Sequence, residues 1–424
     1  MKALFALVVL APVTAAWAAD WPQWRGPDRT AVSRETGLLR DWPPAGPEQA
    51  WVSREAGRGF GGPAVVGDRV YVLGALGGGA APVEHVIALD AAGKKLWATP
   101  IAPAYDFRGN AWSLGPNSTP AVDGRNLFAL GSQGVFVCVD TTGKERWRKD
   151  LVKDMKGRVN PVTGSGLGWG YNWSPLVAGN LVVIAPGGDN GLLAALDKSS
   201  GAVVWQSKAV PDDCTYSSPV LAEFDGVPQI VYAAQAKVYG VALKDGGLLW
   251  AYEKKRQAEE IVAPTPIVHD GRVFVSASAA GSELIRVSRA GDQFRAETVW
   301  DTKEFANLHG GVVLVGGHLY GSHETRAWKC LDLATGTPTW EGRNPGPGSV
   351  VAADGRLYCV SQNDGTVTLV ETSPEALRVR GRFTLPEQSR LRKPSGLLWT
   401  HPVVANGRLY LRDQELVFCY AVKK

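Results

Sequence analysis

The sequence has no apolar run long enough to cross a bilayer, which takes about 20 residues. The longest candidate, Ala3 to Val13, stops well short. Cysteine is sparse. Cys138, Cys214, Cys330, Cys359 and Cys419 are the only five, and an odd number excludes a fully paired disulfide framework. None follows the N-terminal apolar run, so no lipid-attachment cysteine is present, and no pair is spaced Cys-x-x-Cys. The formal charge of +4 is small, and its Lys and Arg are dispersed, which argues against a nucleic-acid partner. There is no Gly-x-Ser-x-Gly elbow, no His-Glu-x-x-His pair and no phosphate loop. Gly164-Ser165-Gly166-Leu167-Gly168 follows Asn160-Pro161 in a long loop. It does not join a strand to a helix, as a nucleotide-binding turn would.

The N-terminus reads as an export signal. Lys2 precedes the apolar run, and Ala16-Trp17-Ala18 supplies small residues where a signal peptidase cuts. Residues 1–18 are therefore expected to be a signal peptide, with cleavage after Ala18 or Ala19, and 19–48 a lead arm. Loss of Lys2 lowers the charge from +4 to +3. The mature chain is expected to be a soluble periplasmic or secreted monomer without a transmembrane segment.

Gly and Trp are abundant, at 50 and 16 residues. Gly serves tight turns, and many Trp in a turn-rich chain suggest one packing device used repeatedly. A repeat explains both. Ser118-Thr119-Pro120-Ala121-Val122-Asp123-Gly124-Arg125 leads to Leu127-Phe128-Ala129-Leu130. Val135 to Asp140 follows, then Gly143-Lys144-Glu145-Arg146-Trp147. The order is a Pro-led strand, a turn, a second strand, a third ending in Asp, a Gly turn, and a fourth strand carrying Trp. It recurs over Pro63–Trp97, Pro175–Trp205, Pro219–Trp250 and Pro266–Trp300. Gly311–Trp340 lacks the leading Pro, Val350–Gly381 lacks the final Trp, and the copy starting at Pro402 ends after Phe418-Cys419-Tyr420 with three strands.

The missing fourth strand lies at the other end, where Gln49-Ala50-Trp51-Val52 has its form. Pairing the two closes the ring and removes an exposed sheet edge. The expected fold is all-β: an eight-bladed propeller of four-stranded antiparallel blades over 49–424, closed by its N- and C-terminal strands. Seven blades remain possible if the degenerate copy is not a full blade. Each repeated Trp can bury roughly 150–250 Å² between blades, so these Trp are read as structural. Cys138, Cys330 and Cys419 share one repeat position in different blades and are read as small buried hydrophobes.

The pattern of strand, Ala-Leu-Asp, Gly and Trp, as in Val86 to Trp97, resembles the repeat of pyrroloquinoline quinone (PQQ) propellers. The resemblance runs from about Trp51 to the C-terminus. That superfamily includes quinoprotein dehydrogenases and non-catalytic members, such as the lipoprotein of the outer-membrane β-barrel assembly machinery. Trp21-Pro22-Gln23-Trp24-Arg25-Gly26-Pro27 is similar to the opening of a group of exported bacterial PQQ-repeat proteins. It is read as an arm whose Trp21 and Trp24 pack on the propeller. The chain departs from the catalytic members in having no adjacent cysteines and no alignable calcium ligands.

Function is expected on one face. Turns between first and second strands, and between third and fourth, are short. Links from each outer strand to the next inner strand lie on the opposite face, and three are long: Ala98 to Asn117, Arg148 to Asn172, and Arg382 to Thr400. Long loops on a rigid scaffold carry function. At the channel mouth on this loop face, His309, His401, Trp173, Trp399, Ser118, Ser218 and His323 form the expected ligand-binding set. A metal held by His309, His323, Glu324 and His401 is chemically possible, although no metal is expected.

Two functions follow. The first is a binding or scaffold module that engages a protein or small-molecule ligand through the loop face. The second is a PQQ- and calcium-dependent alcohol or sugar dehydrogenase. There the quinone would stack on Trp173 or Trp399, with Glu324 or Asp189 as base.

Overall fold

A computed structural model describes residues 19–77, 82–106, 110–112, 114–159, 168–257, 262–324 and 327–423. The expected signal peptide and most of the Gly164–Gly168 stretch lie outside the described residues. Eight antiparallel sheets follow one another in chain order, so the fold is an eight-bladed β-propeller. Blade 1 runs from its inner strand Ala64–Val66 to its outer strand Lys95–Pro103. Blade 2 runs from Ala121–Asp123 to Glu145–Asp150, blade 3 from Leu176–Ala178 to Val203–Gln206, and blade 4 from Val220–Phe224 to Leu248–Glu253. Blade 5 starts at Ile267–His269, blade 6 at Val312–Val315, blade 7 at Gly348–Ala353 and blade 8 at Val403–Ala405. Among the described residues the one α-helix is Leu151–Met155, and no helix is long and apolar enough to cross a membrane.

The ring closes as the repeat predicts. Gln49–Ser53 pairs antiparallel with Leu416–Ala421, so the outer strand of blade 8 comes from the N-terminal side. The degenerate copy is a full blade, and it gains a fifth strand. Val32–Ser33 of the lead arm pairs parallel with the inner strand of blade 7.

Five of the repeated Trp share one contact, whereas the Trp250 indole donates to Gln229 Oε1 within its own blade. The Trp97 indole donates to Thr141 O at 3.2 Å and lies over Gly143 of the next blade. Trp147 does the same to Lys198 and Gly201, Trp205 to Leu243 and Gly246, and Trp300 to Leu333 and Gly336. Trp51 does it across the closure, to Ala91 and Gly93. At Gly143 two demands coincide. Its φ is +89°, which favours glycine, and a Cβ there would stand 2.7 Å from the Trp97 ring.

Blade 7 lacks this Trp because Gly381 holds the Trp register position, opposite Leu369. The arm's Trp42 fills the gap, against Phe383 at 5.4 Å and Tyr358 at 5.8 Å. All five cysteines are buried and free. Cys138, Cys330 and Cys419 sit opposite Trp147, Trp340 and Trp51 in the ladders, where a small apolar side chain leaves room for the indole.

Candidate functional site

The channel is filled by the lead arm. The arm starts at the short-turn face, where Asp20 accepts the Gly67 N–H at 2.8 Å. Trp21 exchanges two backbone bonds with Val65 of blade 1, and Pro22 O takes the Val122 N–H of blade 2. The chain then makes a tight loop. Arg25, Arg29 and Ala31 sit in the left-handed region at φ 62°, 56° and 58°. L-residues hold that conformation only where their surroundings over-determine it.

Here the surroundings are the inner strands. The Trp24 indole donates to Thr265 Oγ1 of blade 5 at 2.9 Å, and its ring meets His401 of blade 8 edge-on at 4.6 Å. Arg25 Nη2 donates to Val312 O of blade 6 at 2.6 Å. Arg29 donates to Ser174 O and Pro175 O of blade 3 at 3.0 and 2.8 Å. Both guanidiniums are enclosed. Burial lowers Arg25 to about 10; burial, then the charge of Arg25, lowers Arg29 to about 9. The arm leaves along blade 7, where Ala31 O takes the Ala352 N–H. The expectation that Trp21 and Trp24 pack on the propeller holds from inside the ring. The two arginines beside them were missed. The signal available was two cations flanking Gly26-Pro27 in an aromatic segment.

The serine hydroxyls near the mouth, Ser218 of the expected set among them, point elsewhere. Ser174 Oγ accepts Thr119 N at 3.0 Å, and Ser218 Oγ accepts Ser174 N at 3.0 Å. Ser217 Oγ donates to Pro264 O, Ser322 Oγ to Gly348 O and Ser349 Oγ to Thr400 O. Each joins one blade to the next. Ser118 is fully enclosed. The ring of polar groups read as a pocket is thus largely a ring of inter-blade hydrogen bonds.

Trp173 is also enclosed, at 0% exposure, against Phe136 and Tyr171, and it offers no face to the channel mouth. His323 is buried beside Phe305, and burial lowers its pKa. His401 turns Nε2 to His309 O at 2.9 Å. Burial pushes His401 down to about 3 and His309 to about 4, so both rings are neutral near pH 7. Of the expected ligand-binding residues, only His309 and Trp399 keep partial exposure. Their rings meet edge-on at 4.9 Å.

The two acids proposed as bases lie on separate blades in surface contacts. Glu324 accepts from Ser278 Oγ at 2.9 Å and Ala279 N at 2.8 Å. Asp189 pairs with Arg158 at 3.0 Å, and Arg158 also holds Asp213. Among the described residues no three of His, Cys, Asp and Glu gather as metal ligands. That includes the His309, His323, Glu324 and His401 set.

PQQ does not fit this channel. A ligand of that size needs hundreds of cubic ångströms. The cavity where Trp24 and Arg25 meet His401 and Thr119 has room for about one water molecule. A second cavity, between blades 4 and 5 beside Lys254 and Glu283, is no larger.

The loop face instead carries aromatic surface. Trp112, 42% exposed, meets Trp169 edge-on at 6.1 Å, and Trp169 stacks on Tyr216 at 5.6 Å. The loop bearing Trp112 is tied to the link into blade 8. Lys393 Nζ reaches Asp106 at 2.6 Å and Asn110 O at 2.7 Å, and Ser395 N reaches Ala111 O. Leu391, 37% exposed, sits on that link, as does Trp399, whose ring also touches Phe60 at 5.2 Å.

A family model described as outer membrane protein assembly factor BamB matches residues 82–342. The protein of that name from Yersinia pestis is 24% identical over 332 residues, which is 76% of each chain. The solved structure of BamB from Moraxella catarrhalis aligns over 85% of this chain and 95% of its own, at 15% identity and a TM-score of 0.59. Quinohemoprotein alcohol dehydrogenase from Comamonas testosteroni aligns over 96% of this chain and 81% of its own, at 11% identity and a TM-score of 0.60. At these identities the structural likenesses show the fold alone.

Proposed function

Since the chain belongs to the outer membrane protein assembly factor BamB family, we propose that it is an exported, periplasmic protein-binding propeller that serves outer membrane protein assembly through its loop face. The observation that carries this reading is the filled channel. With Trp24, Arg25 and Arg29 bonded across the axis, the surface available to a partner is the rim and the loops around it. Trp112, Trp169, Leu391 and the partly exposed His309–Trp399 pair supply it. Aromatic side chains bring large contact area at low conformational cost and dominate binding energy at interfaces.

The test is co-isolation of assembly components from the envelope of the native host with tagged wild-type protein and with Trp112→Ala/Trp399→Ala. A loss of about 2 kcal/mol at such a hot spot weakens binding about 30-fold, so the variant should recover little partner while keeping its fold. Equal recovery by the two would remove the loop face as the docking site.

A further inference from the structure

The seam between blades 4 and 5 departs from the repeat. Trp205 settles on Gly246 in the last turn of blade 4, but Trp250 stays in its own blade, on Gln229 Oε1 at 2.7 Å. In blade 5 the corresponding turn has moved away. The third and fourth strands of that blade, Gly281–Ala290 and Gln293–Thr302, outrun the second. Arg286 is the last residue of the third strand with a partner in the second, Arg272. Residues 287–290 and 293–296 continue past that rung, paired with each other. At roughly 3.3 Å per residue the turn is carried about 13 Å beyond it. The seam is held instead by the Tyr252 hydroxyl on Glu283 Oε2 at 2.6 Å and by Arg256 on Asp301 at 2.6 Å.

The extension is a packed tower. The first hairpin of blade 4 lengthens beside it, with Phe224 opposite Val227. Phe224, Val287 and Phe294 are buried and share one apolar cluster with Val227, and Arg289 lies over the Phe294 ring at 5.6 Å. This packing fixes which way each face looks. Phe274 and Leu284 of blade 5 face blade 6, where they join Leu319 and Leu331. Side chains alternate along a strand and directly opposed residues share a face. Arg272 and Arg286 therefore face blade 6 too, as do Arg295, opposite Ser288, and Glu297, opposite Arg286. Arg286, Arg295 and Glu297 are exposed and Arg272 is half-buried.

Three arginines and one acid thus form an open wall. Among the described residues none of the three has an acidic partner within ion-pair distance. Arg272 stands directly opposite Arg286, a like-charge pair that destabilises a sheet. The neighbouring first turn of blade 6 is Gly316-Gly317, where a Cβ would meet nothing within 4 Å. Asp332 of blade 6 is engaged in its own turn, accepting from Thr335 N and Oγ1. The result is a corner with a basic wall and a bare floor. We propose that this corner, on the face opposite the Trp112 and Trp399 loops, docks an acidic, extended segment of a protein partner on Arg286 and Arg295. These two are diagonal neighbours, about 7–8 Å apart in ordinary sheet geometry, and every second carboxylate of an extended chain recurs at about 6.6–7 Å. A flat anionic bilayer would meet the tip of the tower, where Arg289 already pairs with Asp292 at 3.6 Å, and not the wall.

The experiment is fluorescence-anisotropy binding of a dye-labelled polyglutamate peptide to the mature protein at low ionic strength. The expected result is saturable binding that weakens with salt. Arg286→Ser/Arg295→Ser removes two exposed charge contacts and should bind about tenfold more weakly. Trp112→Ala/Trp399→Ala should bind the peptide as wild type does, which separates this surface from the loop face. Removing Arg286 relieves its repulsion with Arg272, so the arginine variant should melt no lower than wild type; a lower melting temperature would mean that the arginines hold the blade, and would overturn the proposal. Absence of saturable binding, or equal binding by the arginine variant and wild type, would also overturn it. So would phosphatidylglycerol vesicles that displace the peptide from wild type and fail to bind the arginine variant, since the wall would then serve a lipid surface.

Discussion

Glu84 sits with no exposed surface at the loop-face end of the third strand of blade 1. Its Oε2 accepts Ser132 N at 2.8 Å, and its Oε1 accepts the Ser132 hydroxyl. Ser132 Oγ also takes Tyr105 N at 3.3 Å, so this carboxyl helps hold the start of the loop that displays Trp112. Burial raises Glu84 to about 7, against the opposing pull of the Ser132 bonds. In the unfolded chain it titrates near 4.5. Between those two values the native state keeps a proton that the unfolded state has released. Its contribution is therefore fully present below pH 4.5, falls as pH rises through the window, and levels off above pH 7.

At about 1.4 kcal/mol per pH unit, the deficit at pH 8 is about 3 kcal/mol. Glu84→Gln keeps the shape. Its carbonyl can accept Ser132 N, and its amide can donate to Ser132 Oγ. Urea unfolding followed by circular dichroism should find variant and wild type within about 1 kcal/mol at pH 4.5 and the variant more stable by about 3 kcal/mol at pH 8. A difference independent of pH, or a variant less stable at pH 8, would refute the argument.

Two further outcomes follow from the packing. Trp205→Ala should cost about 3–5 kcal/mol in urea unfolding, the usual loss for a buried Trp, because the ring is 7% exposed and covers Gly246. Trp205→Phe should cost about 1 kcal/mol, mainly the bond to Leu243 O; equal losses for the two would mean that the indole N–H, not the packing, carries the contact. Titration of the mature protein with PQQ and calcium should give no saturable Trp quenching, since Trp173 is enclosed and the axis is occupied; saturable, calcium-dependent quenching would revive the dehydrogenase reading.

The blade framework was legible because each blade restates it. Trp147 and Gly201 predict their contact only when read beside Trp97 and Gly143 and Trp205 and Gly246, where the same pair recurs one blade on. The lost Trp of blade 7 was legible as a departure at Gly381, but its replacement by Trp42 was not. Trp42 belongs to a segment that occurs once, and a segment without copies has no register to place it. The mouth failed for a different reason. A Ser just before an inner strand has the same spacing whether its hydroxyl faces the channel or a neighbouring blade. Ser174 and Ser218 face the preceding blade because a backbone N–H there has no ladder partner and an unpaired buried donor is costly.

Satisfying those backbone groups between blades turns these serine hydroxyls away from the axis, and a ring of eight blades is too wide for its inner strands to meet. Something must fill it. A cofactor is one solution for this fold. In this chain the arm takes that place, with two arginines reaching carbonyls on blades 3 and 6. Binding is thereby displaced outward. The same 19–48 segment that closes the channel also completes blade 7 and runs directly into the strand that closes blade 8, so the channel cannot be vacated without loosening the ring. That coupling is why the surface of exposed Trp112 and partly exposed Trp399, rather than the axis, is the place to look for a partner.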